Sequence, residues 1–127
     1  MKKLITLSLF CLSFTLGAQT IVKNVDAVTF KKLIDEKQSI LIDLRTSDEI
    51  NSKGMIKGAR QIDFFAKDAE SQLLKLDKKK TYLVYCAGGG RSGECVDLMK
   101  KNGFKEVVNL EKGFDDWKRK GLEIEKK

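Results

Sequence analysis

Apolar residues along the chain come in short runs whose spacing switches repeatedly between a strand period and a helix period. Ile21 to Lys23 predict a short edge strand, and Asp26 is placed to cap a helix carrying Val28, Phe30, Leu33 and Ile34 on one side. In Ser39 to Leu44 the residues Ile40, Leu41 and Ile42 follow one another without alternation, the pattern of a strand covered on both faces. A short polar helix is expected over Ser47 to Ser52, a weaker strand over Ala59 to Asp63, and a helix over Lys67 to Leu76 with Ala69, Leu73 and Leu76 at helical spacing. Thr81 to Tyr85 is a second buried-strand pattern and ends at Cys86. A glycine-rich segment from Cys86 to Ser92 then opens a helix over Gly93 to Lys101, stopped by Asn102 and Gly103. Glu106 to Leu110 reads as a last strand and Phe114 to Lys120 as a last helix, stopped by Gly121. Strands alternating with helices predict an α/β domain with a central, mainly parallel sheet flanked by helices, in which ligands bind beyond the carboxyl ends of the strands. Cys86 stands at such an end.

The first 18 residues follow a different pattern. Lys2 and Lys3 precede the apolar stretch Leu4 to Leu16, which exits through Gly17 and Ala18. This is the pattern of a secretory signal peptide, with cleavage expected after Ala18 or within one or two residues of it, because Leu16 suits the minus-three position poorly. The alternative is an uncleaved anchor, but the apolar run falls short of the ~20 residues of a comfortable bilayer span. Phe10 before Cys11 is too large for a lipoprotein processing site. The expectation is a periplasmic or secreted protein without a stable membrane anchor, in which residues 19–127 form one domain and act as a monomer. No repeat, low-complexity segment or linker divides that stretch. In an oxidising compartment the two remaining cysteines, Cys86 and Cys95, form either a disulfide or a reactive thiol with a buried neighbour.

Composition narrows the chemistry. The chain of 127 residues is 42% hydrophobic, enough for one core, and contains neither histidine nor proline. A Ser-His-Asp or Cys-His unit, a histidine metal ligand and an imidazole pH switch are all excluded. The net charge of +7, two units of which come from Lys2 and Lys3, is compatible with anionic ligands. No aromatic residues interleave with the basic ones, and the run Lys78, Lys79, Lys80 falls in a turn between a predicted helix and strand, so nucleic acid is not expected as a partner.

The candidate chemistry is concentrated in Cys86, Ala87, Gly88, Gly89, Gly90, Arg91 and Ser92. Three successive glycines allow a tight loop whose N–H groups turn inward as an anion-binding nest. A thiolate at its mouth, beside a helix N-terminus and Arg91, would be stabilised electrostatically, giving a nucleophile without a histidine base. The same nest fits the outer sulfur of a persulfide or the oxygens of thiosulfate. The plainer reading is a glycine-rich turn with Cys86 as a small strand-end residue. The glycines do not match the dinucleotide fingerprint, and the Gly-Lys-Ser/Thr ending of a phosphate-binding loop is absent.

The chain resembles the rhodanese family of sulfurtransferases, whose single-domain members carry a loop of Cys, four variable residues, Arg and a small hydroxyl residue. Cys86, Arg91 and Ser92 stand in that register. Asp43, Leu44 and Arg45 with Glu49 are similar to the family's Asp-x-Arg element and following helix. Gly54, Ile56, Gly58 and Ala59 match its G-H-I-P-G-A segment, with Met55 in place of His and Lys57 in place of Pro, a change that bears on local packing. Gly103, Phe104, Val107, Asn109, Leu110, Gly113, Trp117 and Gly121 are similar to its C-terminal signature. The resemblance spans nearly all of Val25 to Glu125 and implies a three-layer domain around a five-stranded sheet. Related phosphatases use a loop one residue longer; the shorter loop here suits a sulfane sulfur.

The resemblance implies a transferase in which Cys86 takes sulfur from thiosulfate or a related anionic donor as a persulfide. The N–H groups of Ala87, Gly88, Gly89, Gly90, Arg91 and Ser92 hold the sulfur, and Arg91 binds the donor. A thiophilic acceptor, cyanide or a thiol including a protein thiol, removes it, and neither metal nor organic cofactor is needed. A persulfide carrier with little turnover on small donors is the alternative, and a thiol–disulfide protein using Cys86 and Cys95 a third reading, against which the lack of a C-x-x-C pair counts. Cys95, Val96 and Met99 form an inward stripe that favours core packing for Cys95. Asp43 and Arg45 either contact substrate or serve structure through an Arg45–Glu49 pair. Trp117 with Phe114 reads as a core anchor, and Lys57 and Arg60 either add positive potential or are simply solvated.

Overall fold

The computed structural model describes Lys3 and residues 18–127, so the expected leader lies outside the described residues apart from Lys3 and Ala18. Strands β1 (Ile21–Val25), β2 (Ile40–Asp43), β3 (Arg60–Gln61), β4 (Thr81–Tyr85) and β5 (Glu106–Leu110) form one five-stranded sheet in the order β1-β5-β4-β2-β3. Every pairing is parallel. The helices between them are α1 (Ala27–Asp35), α2 (Ser47–Lys53), α3 (Ala69–Leu74), α4 (Gly90–Lys101) and α5 (Gly113–Arg119). Asp26 caps α1 as expected, its carboxylate accepting from the Thr29 N–H at 2.9 Å. Val28, however, is 49% exposed, because it lies about 200° around the helix from Phe30, whereas Ala27, Leu33 and Ile34 share the Phe30 face.

Side-chain alternation along the strands sorts the core into two layers. Ile42, Tyr82, Val84, Cys86 and Val107 face Leu73 of α3 and Cys95, Val96 and Met99 of α4. Leu41, Leu83, Tyr85, Val108 and Leu110 face Ala27 and Phe30 of α1 and Phe114 and Trp117 of α5. Trp117 meets Phe30 edge-on with centroids 6.4 Å apart and donates its indole N–H to the Glu123 carbonyl at 3.0 Å, as befits the expected core anchor. The alternation also gives adjacent residues of β4 opposite assignments: Tyr85 enters the α1/α5 layer and Cys86 turns toward α4.

A buried polar cluster closes the carboxyl ends of β2 and β4. Arg45, 1% exposed, donates through Nε and Nη2 to the two Asp43 carboxylate oxygens at 3.0 and 2.7 Å, and through Nη2 to the Gly54 carbonyl at 2.8 Å. The expected partner Glu49 is not used: Asp43 offers a fork-to-fork fit two residues away, and Glu49 is engaged elsewhere. The Tyr85 hydroxyl donates to Asp43 at 2.5 Å and accepts from the Ile56 N–H at 3.0 Å. Burial, and then the Asp43 charge, hold this phenol well above its usual range, so it remains a donor. Nη1 of Arg45 has no hydrogen-bond partner among the described residues, but the guanidinium carbon sits 3.9 Å from the Phe114 ring centroid, where the π face offsets part of its desolvation. Met55 and Glu125 exchange backbone hydrogen bonds at 2.8 Å and complete the turn that would carry His in the family pattern.

Removing one partner of a buried pair leaves an uncompensated charge. Arg45→Ala is therefore expected to lower unfolding free energy by about 3–5 kcal/mol. Urea denaturation checks this; a loss below about 1 kcal/mol would show that the cluster does not brace the fold.

Candidate active site

Cys86 follows β4 directly, and the chain then turns through Ala87, Gly88 and Gly89 into α4. The helix starts at Gly90, three residues earlier than the periodicity predicts, because glycine permits the turn to close at once: Gly89 has φ 108°, and a Cβ there would collide with the Glu111 carbonyl. Arg91 and Ser92 consequently belong to the first helical turn. The Cys86 sulfur accepts from the Gly89 N–H at 3.1 Å and the Ser92 N–H at 3.4 Å. Its S–H can donate to Ser92 Oγ at 3.4 Å, and that hydroxyl donates to the Gly89 carbonyl at 3.2 Å. Gly88, Gly90 and Arg91 offer further N–H groups that meet no backbone acceptor among the described residues.

The loop keeps this orientation because α5 holds its carbonyls from outside. The N–H groups of Phe114 and Asp115 donate to the Cys86 and Ala87 carbonyls at 2.8 and 3.0 Å. Gly113, at φ 67°, makes that approach possible, since a Cβ would run into the Ala87 carbonyl. With the carbonyls drawn toward α5, the Gly89 and Ser92 N–H groups reach the sulfur, which is the arrangement of an anion nest.

Arg91 forms the wall on the α2 side. Its Nη1 and Nη2 donate to Glu49 Oε2 and Oε1 at 2.8 and 2.7 Å, a bidentate pair. Glu49 is held in place in turn by a capping box: it accepts from the Thr46 N–H at 2.9 Å and its own N–H donates to Thr46 Oγ1 at 3.3 Å. The Arg91 hydrogen bonds hold the Glu49 carboxyl down at about 2, despite partial burial. The Phe65 ring lies over the guanidinium, 4.9 Å from its carbon to the centroid.

Of the predicted site residues, Gly89 and Ser92 contact the Cys86 sulfur, while Ala87, Gly88, Gly90 and Arg91 belong to the same loop and helix start. Cys95 is fully buried in the α4 layer of the core, with its sulfur 3.7 Å from that of Met99, and burial pushes its thiol up to about 12. Both cysteines are free. Lys57 and Arg60 do not reach the site: β3 is parallel to β2, so residues leading into it line a hollow of about 470 Å³ with Asp35 and Ile40 at the opposite end of the sheet. Among the described residues no group of three or more acidic or cysteine side chains converges as a metal site. Phe65 and the clamping role of Gly113 escape a reading of the sequence alone. Phe64 and Phe65 are adjacent in a turn, where Phe64 packs against the core and Phe65 stays exposed, and no local pattern in the sequence separates the two.

Comparisons with known proteins bear on the family and the fold. Residues 26–120 match the rhodanese-like domain family. A sulfurtransferase from Allochromatium vinosum is 30% identical over 104 residues, covering 81% of this chain and 94% of that one. The solution structure of a polysulfide-sulfur transferase homodimer from Wolinella succinogenes superposes with a TM-score of 0.71 at 27% identity, covering 84% and 80% of the two chains. A rhodanese-like domain protein from Staphylococcus aureus gives 0.64 at 31% identity, covering 84% and 98%. Its fold, the register of its cysteine loop and its relatives place this chain in the rhodanese-like domain family.

Proposed function

We propose that this domain is a sulfurtransferase in which Cys86 carries the sulfur in transit as a persulfide. The observation that supports this most is the Cys86 sulfur seated against the Gly89 and Ser92 N–H groups at 3.1 and 3.4 Å, in a loop without bulky side chains. The thiolate attacks the outer sulfur of thiosulfate or a related donor; the new S–S bond forms as the donor's own S–S bond breaks, and the electron pair leaves with sulfite. The terminal persulfide sulfur is then held by the N–H groups of Gly88, Gly90 and Arg91. Cyanide or a thiolate then attacks that sulfur, and the electron pair returns to Cys86 as thiolate. Once Cys86 is a thiolate, neither displacement requires a further proton transfer, which suits a chain without histidine. Fixed backbone dipoles stabilise the negative sulfur in both states without reorganising.

In this reading Arg91 contributes positive potential at the mouth and Glu49 is a positioning residue, fixing the guanidinium through its two hydrogen bonds. A short loop followed by a helix start leaves room for one added sulfur, whereas a phosphoryl group would need a wider nest.

Thiosulfate-dependent thiocyanate formation tests the mechanism. Cys86→Ser is expected to lower kcat by at least roughly a thousandfold, as loss of a covalent nucleophile does. Retained activity in that variant would contradict the mechanism. A second expectation concerns acid stability. Because the Glu49 carboxyl is held at about 2 against an ordinary 4.5, the folded state binds fewer protons there than the unfolded chain. The stabilisation is complete above about pH 4.5 and is lost as pH falls toward 2. Denaturation midpoints measured across this window should fall more steeply for wild type than for Glu49→Gln, and parallel curves would refute the assignment.

A further inference from the structure

Ala87 and the three loop glycines present almost nothing that could read a substrate, so recognition has to come from the walls of the mouth. On the α2 side that wall is Arg91 with Phe65. The Arg91 guanidinium has both terminal nitrogens committed to Glu49, so it has less left to offer a second anion, while the ring lying over it is 69% exposed. Phe65 is not a loosely held surface residue. The Phe64 N–H donates to the Leu44 carbonyl at 3.1 Å, just beyond β2, and the Phe65 N–H donates to Asp63 Oδ1 at 2.9 Å. Phe64 packs against the α4 layer of the core, which leaves the Phe65 ring outside, against Arg91.

An exposed aromatic face on a hydrogen-bonded backbone, over a guanidinium whose charge is already partly offset by Glu49, is suited to apolar groups more than to a small dianion. We infer that Phe65 is a specificity-determining residue that contacts an apolar group attached to the transferred sulfur, so that organic sulfane donors are favoured over thiosulfate. The inference rests on the sulfur-transfer reading of Cys86 and adds the class of donor. With a thiosulfonate, the Cys86 thiolate bonds to the outer sulfur, the S–S bond of the donor breaks, and its electron pair leaves on the sulfinate. Cyanide then removes the outer sulfur as thiocyanate and the thiolate is restored. The hydrocarbon of the sulfinate is the group that Phe65 would touch.

Thiocyanate formation from benzenethiosulfonate and from thiosulfate, compared in wild type, Phe65→Leu and Phe65→Ala, reads this contact as a ratio. The kcat/KM ratio of benzenethiosulfonate to thiosulfate should fall roughly three- to tenfold in Phe65→Ala, with Phe65→Leu between, as expected for loss of one aromatic contact. An unchanged ratio, whether both donors slow equally or neither does, overturns the inference. Calorimetric titration of benzenesulfinate into Cys86→Ala, with and without Phe65→Ala, gives the same contact without turnover. Weaker binding on loss of the ring supports the role of Phe65, and equal binding overturns it. If wild type yields no thiocyanate from either donor, the sulfur-transfer reading fails, and the sulfinate titration still decides the role of Phe65.

Discussion

Everything at the candidate site depends on a buried ion pair that does no chemistry itself. Arg45 and Asp43 lie almost wholly out of water, and an unpaired charge there would be strongly destabilising. Satisfying them engages much of the surrounding structure: the Gly54 carbonyl, the Tyr85 hydroxyl and the Phe114 ring. Tyr85 is the residue before Cys86, and Phe114 supplies the N–H that holds the Cys86 carbonyl. The cluster thus fixes the end of β4 and the start of α5 relative to one another, and the cysteine loop, which runs from β4 into α4, is hydrogen-bonded to that α5 start.

From that frame the electrostatics of the loop follow. The Gly89 and Ser92 N–H groups reach the sulfur while α5 engages the Cys86 and Ala87 carbonyls, and two glycines at positive φ allow the backbones to come close enough. The nest is therefore set by packing and does not need to rearrange around a ligand, which is what makes fixed dipoles effective for a charge that moves by one bond length. Besides the Ser92 hydroxyl on the sulfur, side chains enter at the wall, where Glu49 and Phe65 both contact Arg91.

The α/β order, the two buried strands, the Asp26 cap and the cysteine loop were legible in the sequence because each depends on local pattern or on glycine chemistry. Four features were not. Arg45 had two carboxylates within reach, and helical spacing favoured Glu49, although the Thr46 to Glu49 capping box could have shown that Glu49 belongs to its own helix end. The placement of Lys57 and Arg60 depends on which end of a two-residue parallel strand faces the site, and that is a property of the sheet. The start of α4 fell three residues early because helix periodicity cannot be read through side-chain-free glycines. Phe65 is visible only once Phe64 has a core to enter.

The central claim is that Cys86 and not Cys95 holds the sulfur in transit. Protein treated with thiosulfate and then excess alkylating reagent, digested and analysed by tandem mass spectrometry, tests it most directly. The account predicts one added sulfur atom on the peptide containing Cys86, discharged by cyanide, with Cys95 unmodified. Sulfur found on Cys95, or a disulfide joining the two cysteines, would contradict it.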